Sequence, residues 1–104
     1  MRNRDVFVGL ADPTRREILD LLRAAGPLNA GGIASRFGAV TRPGISRHLR
    51  VLRECGLVEA EGQGRENLYR LDARPILRAR DGWLARFGSA HAAQLKALRR
   101  RAER

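Results

Sequence analysis

The chain has 104 residues, and its 21 lysines and arginines outnumber 11 acidic residues to give a net charge of +10. With 43% hydrophobic residues, a chain of this length forms one small domain and leaves little room for a catalytic cleft. Its single cysteine excludes an internal disulfide and a four-thiolate zinc site. No apolar run approaches the roughly 18 residues of a membrane span, and the N-terminus lacks the apolar stretch of a signal peptide. We therefore expect a cytoplasmic protein that contacts no membrane and is not an enzyme.

The first predicted elements are two helices. Asp12 is a typical N-cap, Pro13 follows it in the first turn, and Gly26 is a typical stop. Between these signals, isoleucine and leucine recur at helical spacing and predict one buried face. A short leading helix is predicted before Asp12, on three apolar residues: Val6, Phe7 and Leu10.

Two further helices are predicted in close succession. The first covers residues 29–38, with Asn29 as its cap. The second begins after a Thr41 cap, has proline in its first turn, and ends near Gly56. A tight turn at residues 38–41 joins them, which is typical of a helix-turn-helix.

A β-hairpin and a long helical segment complete the chain. Residues 57–61 and residues 66–71 are strand-like runs around a glycine-rich tip at residues 62–65. Residues 75–104 are helical by composition, with a break predicted at residues 88–89. The expected fold class is therefore mainly α with a small β-hairpin.

The positive charge is concentrated in two places. Residues 42–53 carry four arginines and no acid, residues 96–104 carry +4, and the other 83 residues carry only +2. A basic stripe on a folded domain is typical of nucleic-acid binding, because phosphates are bound by releasing their condensed counterions. We interpret the terminal run as a solvated helix end, since frayed basic ends lack fixed geometry. The central stripe is the candidate DNA contact.

The central helix presents two different faces. At about 100° per residue, its apolar residues form one buried arc, which His48 borders: Ile45, Leu49, Leu52 and Cys55. The opposite face carries short and cationic side chains, which suit the major groove of double-stranded DNA.

Eight residues are candidates for DNA contact. Ser46 and Arg47 are predicted base readers, and Arg50 is a predicted phosphate contact. For His48, packing against the core is the favoured alternative. The guanidinium of Arg65 at the hairpin tip suits a phosphate or the minor groove, and the alternative there is a solvated turn. The complete set is Arg42, Pro43, Ser46, Arg47, His48, Arg50, Gln63 and Arg65.

The terminal helix carries an apolar seam. Leu84, His91 and Leu98 recur every seven residues, and so long a seam exceeds what so small a core can cover. We interpret it as a dimer interface, because an exposed aromatic stripe is otherwise an aggregation liability. The alternative is that the helix folds back over its own domain. The predicted interface residues here are Trp83, Leu84, Phe87, His91, Leu95 and Leu98.

Three segments closely resemble the ArsR-type winged helix-turn-helix repressors. They are LADPTRREIL at residues 10–19, ISRHLRVLRECGLV at residues 45–58 and GRENLYRL at residues 64–71. The resemblance covers nearly the whole chain, and the three motifs in this order and spacing are specific. It implies a winged helix-turn-helix fold and a homodimer that represses transcription from an imperfect palindrome.

The predicted elements and the apolar seam divide the chain into two parts. Residues 1–74 are expected to form the DNA-binding domain and residues 75–104 the dimerisation helix, within one compact domain. Because the family pairs through its first and last helices, the expected interface gains three residues: Val6, Phe7 and Leu10. The match to the family's recognition helix supports Ser46 and Arg47 as groove residues.

Metal-binding motifs of the family are missing here. Metal-sensing members carry a Cys-x-Cys type motif where this chain reads GGIA at residues 31–34, or Asp and His ligands on the last helix. Because a transition-metal sensor needs several converging N or S ligands, the chain resembles the metal-independent branch, with no metal and no cofactor. Redox sensing by Cys55 is a disfavoured alternative, since a buried thiol is unreactive.

Two other classes of function compete with a repressor. A protein-interaction module could use the same basic face to dock an acidic partner, without a specific operator. An enzyme needs a nucleophile, base and acid set or paired carboxylates in a cleft, and none can be proposed. The leading hypothesis is a homodimeric transcriptional repressor that binds sites in double-stranded DNA, including sites in its own operon.

Overall fold

The computed structural model describes residues 4–103. Residues 1–3, where no signal peptide is predicted, and residue 104, at the end of the predicted terminal helix, lie outside the described residues. The elements in chain order are α1 (Val6–Leu10), α2 (Pro13–Ala25), β1 (Leu28–Asn29), α3 (Ala30–Ala34), α4 (Arg42–Glu54), β2 (Val58–Gln63), β3 (Glu66–Leu71), α5 (Arg74–Ala79), a π-helical turn (Arg80–Leu84) and α6 (Ala85–Ala102).

Side-chain caps start the first four helices. Asp5, Asp12, Asn29 and Thr41 each accept a hydrogen bond from a backbone N–H of the first turn, at 2.8, 3.0, 2.7 and 3.2 Å. Each cap satisfies one of the N–H groups that a helix start leaves without a partner. The predicted caps Asp12, Asn29 and Thr41 are thereby confirmed.

A Schellman motif ends α4. The N–H of Gly56 donates to the carbonyl of Arg53 at 3.0 Å, and the N–H of Leu57 donates to the carbonyl of Leu52 at 2.9 Å. Gly56 has a φ of 75°, a left-handed conformation that glycine adopts without steric cost. The motif turns the chain directly from α4 into β2.

The core lies between α2, α3 and α4 and is closed by the start of the hairpin. Val51, which the predicted arc of α4 omits, is buried together with that arc. The largest side chains with a relative exposure of 1% or less are Ile18, Ile33, Ile45, Leu49, Leu52 and Leu57.

The sheet has three antiparallel strands in the order β1-β3-β2. The two-residue strand β1, which pairs Leu28 with Tyr69, is absent from the sequence-based expectation. The predicted tip at residues 62–65 is wrong in its extent, because Gln63 pairs with Glu66 inside the ladder. Only Gly64 and the residue after it form the turn, with the positive φ of 61° at Gly64.

The predicted end of α3 at residue 38 is also wrong. The α-helix ends at Ala34, and the chain continues in tighter turns. Arg36 N–H donates to the carbonyl of Ile33 at 3.0 Å, and Phe37 N–H donates to the carbonyl of Ala34 at 3.1 Å. Such hydrogen bonds between residues three apart often tighten a helix end, so the turn before α4 spans residues 35–41.

The chain from residue 80 onward projects from the rest of the molecule. Every residue from 80 to 103 is exposed, and the molecule measures 68 × 28 × 20 Å. Its radius of gyration of 18.4 Å exceeds the roughly 13 Å of a compact 100-residue domain. The alternative in which this helix folds back over its own domain is therefore wrong.

The irregularity in the terminal segment falls elsewhere than predicted. The backbone stays α-helical through residues 88–89, and a π-helical turn occupies Arg80–Leu84 instead. None of the helices within residues 4–103 is long and apolar enough to cross a membrane.

Candidate nucleic-acid interface

The outer face of α4 is exposed opposite its buried arc. Ser46, Arg47 and Arg50 lie on the surface, whereas Ile45 and Leu49 are buried. Proline in the first turn and the Thr41 cap fix where the helix begins. The face therefore offers a hydroxyl and guanidinium groups on a helix that is held from behind by the core, as the helical angles predicted.

Arginines of α4 differ from several others in the domain, which are held by carboxylates. Arg70 donates to Glu59 at 2.9 Å, and Arg74 donates to Asp72 at 2.7 Å. Within residues 4–103, by contrast, no side-chain ion pair or hydrogen bond engages the arginines of α4: Arg42, Arg47, Arg50 and Arg53. Their charge is thus available to an external anion.

A cleft of about 170 Å³ separates the start of α4 from the hairpin. Arg42 from the helix and Arg65 from the turn both line it, together with Asn67 and Tyr69. Cations from the two predicted contact elements are therefore brought to one concave surface. Sequence patterns do not indicate Asn67 or Tyr69, because their relation to α4 depends on the register of β3.

Asn29 also lines this cleft and is hydrogen-bonded to the hairpin. Its amide Nδ2 donates to Glu66 Oε2 at 2.9 Å, while its side-chain oxygen caps α3. Gln63 is exposed at the end of β2, and Pro43 is exposed in the first turn of α4. These two predicted contacts lie on the surface, with Gln63 in the strand rather than at the tip.

His48 faces α2. Its side chain is 23% exposed, and its Nδ1 lies 3.5 Å from Arg15 Nη1 and 4.0 Å from Asp12 Oδ2. The packing alternative for His48 agrees with this position. Sequence patterns give no signal for Arg15, because its partner on α4 is 33 residues away.

Asp12 has an electrostatic environment that favours its charged form. The backbone N–H of Arg15 donates to the carboxylate at 3.0 Å. This hydrogen bond, with a smaller contribution from His48, lowers the pKa of Asp12 below its ordinary value of 3.8 against the opposing effect of burial. Because the folded pKa lies below the unfolded one, the stabilisation is present above the unfolded pKa and disappears as the pH falls through the folded pKa.

We expect Asp12→Ala to lower the free energy of unfolding by about 1 kcal/mol near neutral pH, since the variant has no N-cap for α2. The difference in the free energy of unfolding between this variant and the unchanged protein should become smaller as the pH falls below the unfolded pKa of Asp12. Urea unfolding at about pH 7 and about pH 3 measures both effects. Asp12→Asn is the matched control, because asparagine keeps a capping oxygen without the charge. Equal stability of Asp12→Ala and the unchanged protein at neutral pH would contradict the assignment.

Cys55 is buried at the end of α4, as predicted. It is 3% exposed, and its thiol donates to the carbonyl of Asp5 at 3.3 Å. Burial raises the pKa of the Cys55 thiol. Because the thiolate is the reactive form, this environment disfavours the redox alternative.

An exposed apolar surface runs from α1 onto the terminal helices. Phe7 packs edge-to-face on Trp83 with ring centroids 5.4 Å apart, and Trp83 packs likewise on Phe87 at 4.7 Å. We call the exposed apolar side chains of this surface, with His91, the terminal seam: Phe7, Val8, Trp83, Leu84, Phe87, His91, Leu95 and Leu98.

Two predicted interface residues are less exposed than the rest. Val6 and Leu10 are partly buried and pack against the core of their own domain. On α1 it is Phe7 and Val8 that are exposed. Val8 carries no signal of its own in the sequence, because α1 is only about one and a half turns long.

The described residues hold no group of three or more His, Cys, Asp or Glu side chains placed to bind a metal ion. His48 and His91 lie on α4 and α6, the separation that the sequence predicts. Metal independence remains a prediction.

The three helices α2 to α4, the hairpin and the exposed face of α4 define a winged helix-turn-helix DNA-binding protein. A family model described as a helix-turn-helix domain matches residues 10–61. The transcriptional repressor SdpR of Bacillus subtilis is 36% identical over 83 residues, which cover 80% of this chain and 89% of that protein.

Solved structures are similar over most of the chain. An ArsR-like transcriptional regulator from a Rhodococcus species has a TM-score of 0.75 at 37% identity, covering 94% of this chain and 87% of that one. A second structure is the homodimeric winged helix-turn-helix domain of a possible ArsR-family regulator from Mycobacterium bovis. It has a TM-score of 0.62 at 32% identity, covering 82% of this chain and 75% of that one.

The chain belongs to the ArsR family of winged helix-turn-helix transcriptional regulators. It is a DNA-binding regulator of transcription and not an enzyme. The protein-interaction alternative is not favoured by these relatives.

Proposed function

We propose that the chain is a homodimeric repressor that binds an imperfect palindrome in double-stranded DNA. The observation that carries the proposal is the exposed face of α4, whose arginines have no partner within residues 4–103. The name of SdpR as a repressor and the homodimeric structure from Mycobacterium bovis support repression and pairing.

In this proposal α4 lies in the major groove. Ser46 and Arg47 contact base edges, because a hydroxyl and a guanidinium are donors that the major groove can discriminate. Arg50 contacts a phosphate beside the groove. At the start of the helix, Arg42 and Pro43 contact the backbone or a base.

The hairpin is proposed as the second contact. Arg65 stands at the turn and shares a cleft with Arg42. Glu66 lines the same cleft, where its carboxylate accepts from Asn29, and the two guanidinium groups contact a segment of the phosphate backbone. Gln63 is exposed one residue before the turn and can reach the same segment. Such contacts position a protein on DNA without reading its sequence.

Residues 75–104 are proposed as the pairing segment, and residues 1–74 as the DNA-binding unit. The terminal seam is exposed in the single chain, and apolar surfaces of this kind mark association sites. A second copy related by two-fold symmetry would cover the same surface on both chains. No metal is required for this arrangement.

Selection of bound duplexes from a random pool by the full chain tests the proposal. We expect enrichment of an inverted repeat whose half-sites lie about 10 base pairs, or about 34 Å, apart, because a dimer places its helices in adjacent major grooves. A reporter promoter that contains the selected site should be silenced by the chain. Binding with no sequence preference would overturn the proposal and favour the docking of an acidic partner.

A further inference from the structure

The end of α4 is fastened to the N-terminal segment that carries part of the terminal seam. Arg4 N–H donates to the carbonyl of Glu54 at 3.1 Å, and the side chains of these two residues form an ion pair. The Cys55 thiol donates to the carbonyl of Asp5. A Cβ on Gly9 would lie 2.7 Å from Leu57 Cδ1, so α1 packs closely on the chain just after α4.

Arg15 makes the second connection between α1 and α4. Its Nη2 donates to the carbonyl of Val8 at 2.8 Å, and its Nε donates to the carbonyl of Gly9 at 3.1 Å. Its Nη1 lies 3.5 Å from Nδ1 of His48. All three nitrogens of one planar guanidinium therefore bridge the end of α1 to the middle of α4.

His48 is well placed to transmit this constraint. It directly follows Arg47, so at about 100° per residue the two side chains leave α4 in different directions. The buried arc already holds α4 against the core, and the contact of the imidazole with α2 adds a restraint on its rotation next to Arg47. The contact between His48 and Arg15 thus lies away from the exposed face of α4 that carries Ser46 and Arg47.

We propose that Arg15 is a positioning residue for DNA recognition, which acts together with the buried arc of α4 to fix the rotation of this helix relative to α1. This inference rests on the proposed function, in which α4 reads bases and α1 lies at the pairing surface. In the dimer, the guanidinium of Arg15 in each chain then sets the relative orientation of the two exposed α4 faces. A rigid relation of this kind restricts the half-site spacing that both helices can contact at once.

The test compares Arg15→Gln with the matched variant Arg16→Gln. Arg16 Nη1 donates to the carbonyl of Leu10 at 2.7 Å, so it also binds the end of α1, but no hydrogen bond or ion pair joins it to α4 in the described residues. Affinity is measured for the selected site and for duplexes with one base pair inserted or removed between the half-sites.

For the unchanged chain and for Arg16→Gln, we expect the altered spacing to weaken binding about tenfold or more, the scale of one mismatched base pair. For Arg15→Gln, we expect the altered spacing to weaken binding only about twofold. The salt dependence of binding should stay unchanged, because every phosphate contact is retained. His48→Gln, which alters the contact from the α4 side, should relax the spacing preference in the same direction. Arg15→Lys should restore only part of it, since an ammonium cannot form the planar fork.

Different outcomes separate this inference from the function on which it rests. The positioning role alone is overturned if altered spacing weakens the binding of Arg15→Gln and of His48→Gln as much as it weakens the binding of the unchanged chain. A lower melting temperature of either variant does not alter that conclusion. If Arg15→Gln fails to fold, the question is decided by the same comparison of affinities for the selected and the altered spacing, made with His48→Gln and Arg15→Lys. An unchanged chain that selects no site at all overturns the proposed function together with this inference.

Discussion

Arg47→Ala is expected to weaken binding to the selected site by about 5- to 150-fold, or about 1 to 3 kcal/mol. Arg47 is exposed on α4 without a side-chain partner in residues 4–103, and a guanidinium can donate two hydrogen bonds to O6 and N7 of one guanine. The weakening should therefore fall on one base pair of each half-site. Titration of duplexes with single base-pair replacements measures it.

Arg50→Ala is the matched control from the same face of α4. Arg50 is a proposed phosphate contact, so its removal should weaken specific and non-specific binding alike. The slope of log affinity against log salt should become shallower by about one for each phosphate that is no longer neutralised. If Arg47→Ala instead weakens all sequences equally, Arg47 contacts the backbone and is not a base reader.

Leu95→Glu is expected to convert the dimer to a monomer. Leu95 is 53% exposed in the single chain, and in the proposed dimer a carboxylate at this position would be buried without a partner. Without pairing, the advantage of two linked half-sites disappears, so affinity for the full site should fall about 10²- to 10⁴-fold. Sedimentation equilibrium and duplex titration measure the two effects.

Ala93→Glu supplies the control on the same helix. Ala93 is exposed and lies about 160° around the helix from Leu95, so a carboxylate there should remain in solvent. Affinity for a single half-site should be similar in both variants, because neither change touches α4. A Leu95→Glu chain that remains dimeric would place the pairing surface elsewhere.

The elements that could be predicted are those in which several local signals agree. For α4, a threonine cap, a proline in the first turn, an apolar arc and Gly56 all point to one helix, and the structure has it at Arg42–Glu54. The same agreement predicts α2 between Asp12 and Gly26. Exposure of Ser46 and Arg47 follows from the helical period alone.

The features that sequence patterns miss depend on contacts between distant segments. The strand β1 has only two residues, too few for a periodic pattern, and it exists because β3 lies beside it. Residues 35–37 could not be separated from α3, since tighter turns commonly continue the end of an α-helix. The place of Arg15 between α1 and His48 requires the packing of α2 on α4, which no local pattern contains.

The exposed terminal helix has a consequence for how the proposed regulator responds to its own abundance. In dilute solution the concentration of pairs rises with the square of the concentration of chains, so doubling the chains yields roughly four times the pairs. Only pairs can engage both halves of a palindrome at once. Occupancy of a promoter would therefore rise more steeply than the amount of protein, and a threshold would arise even without a small-molecule effector.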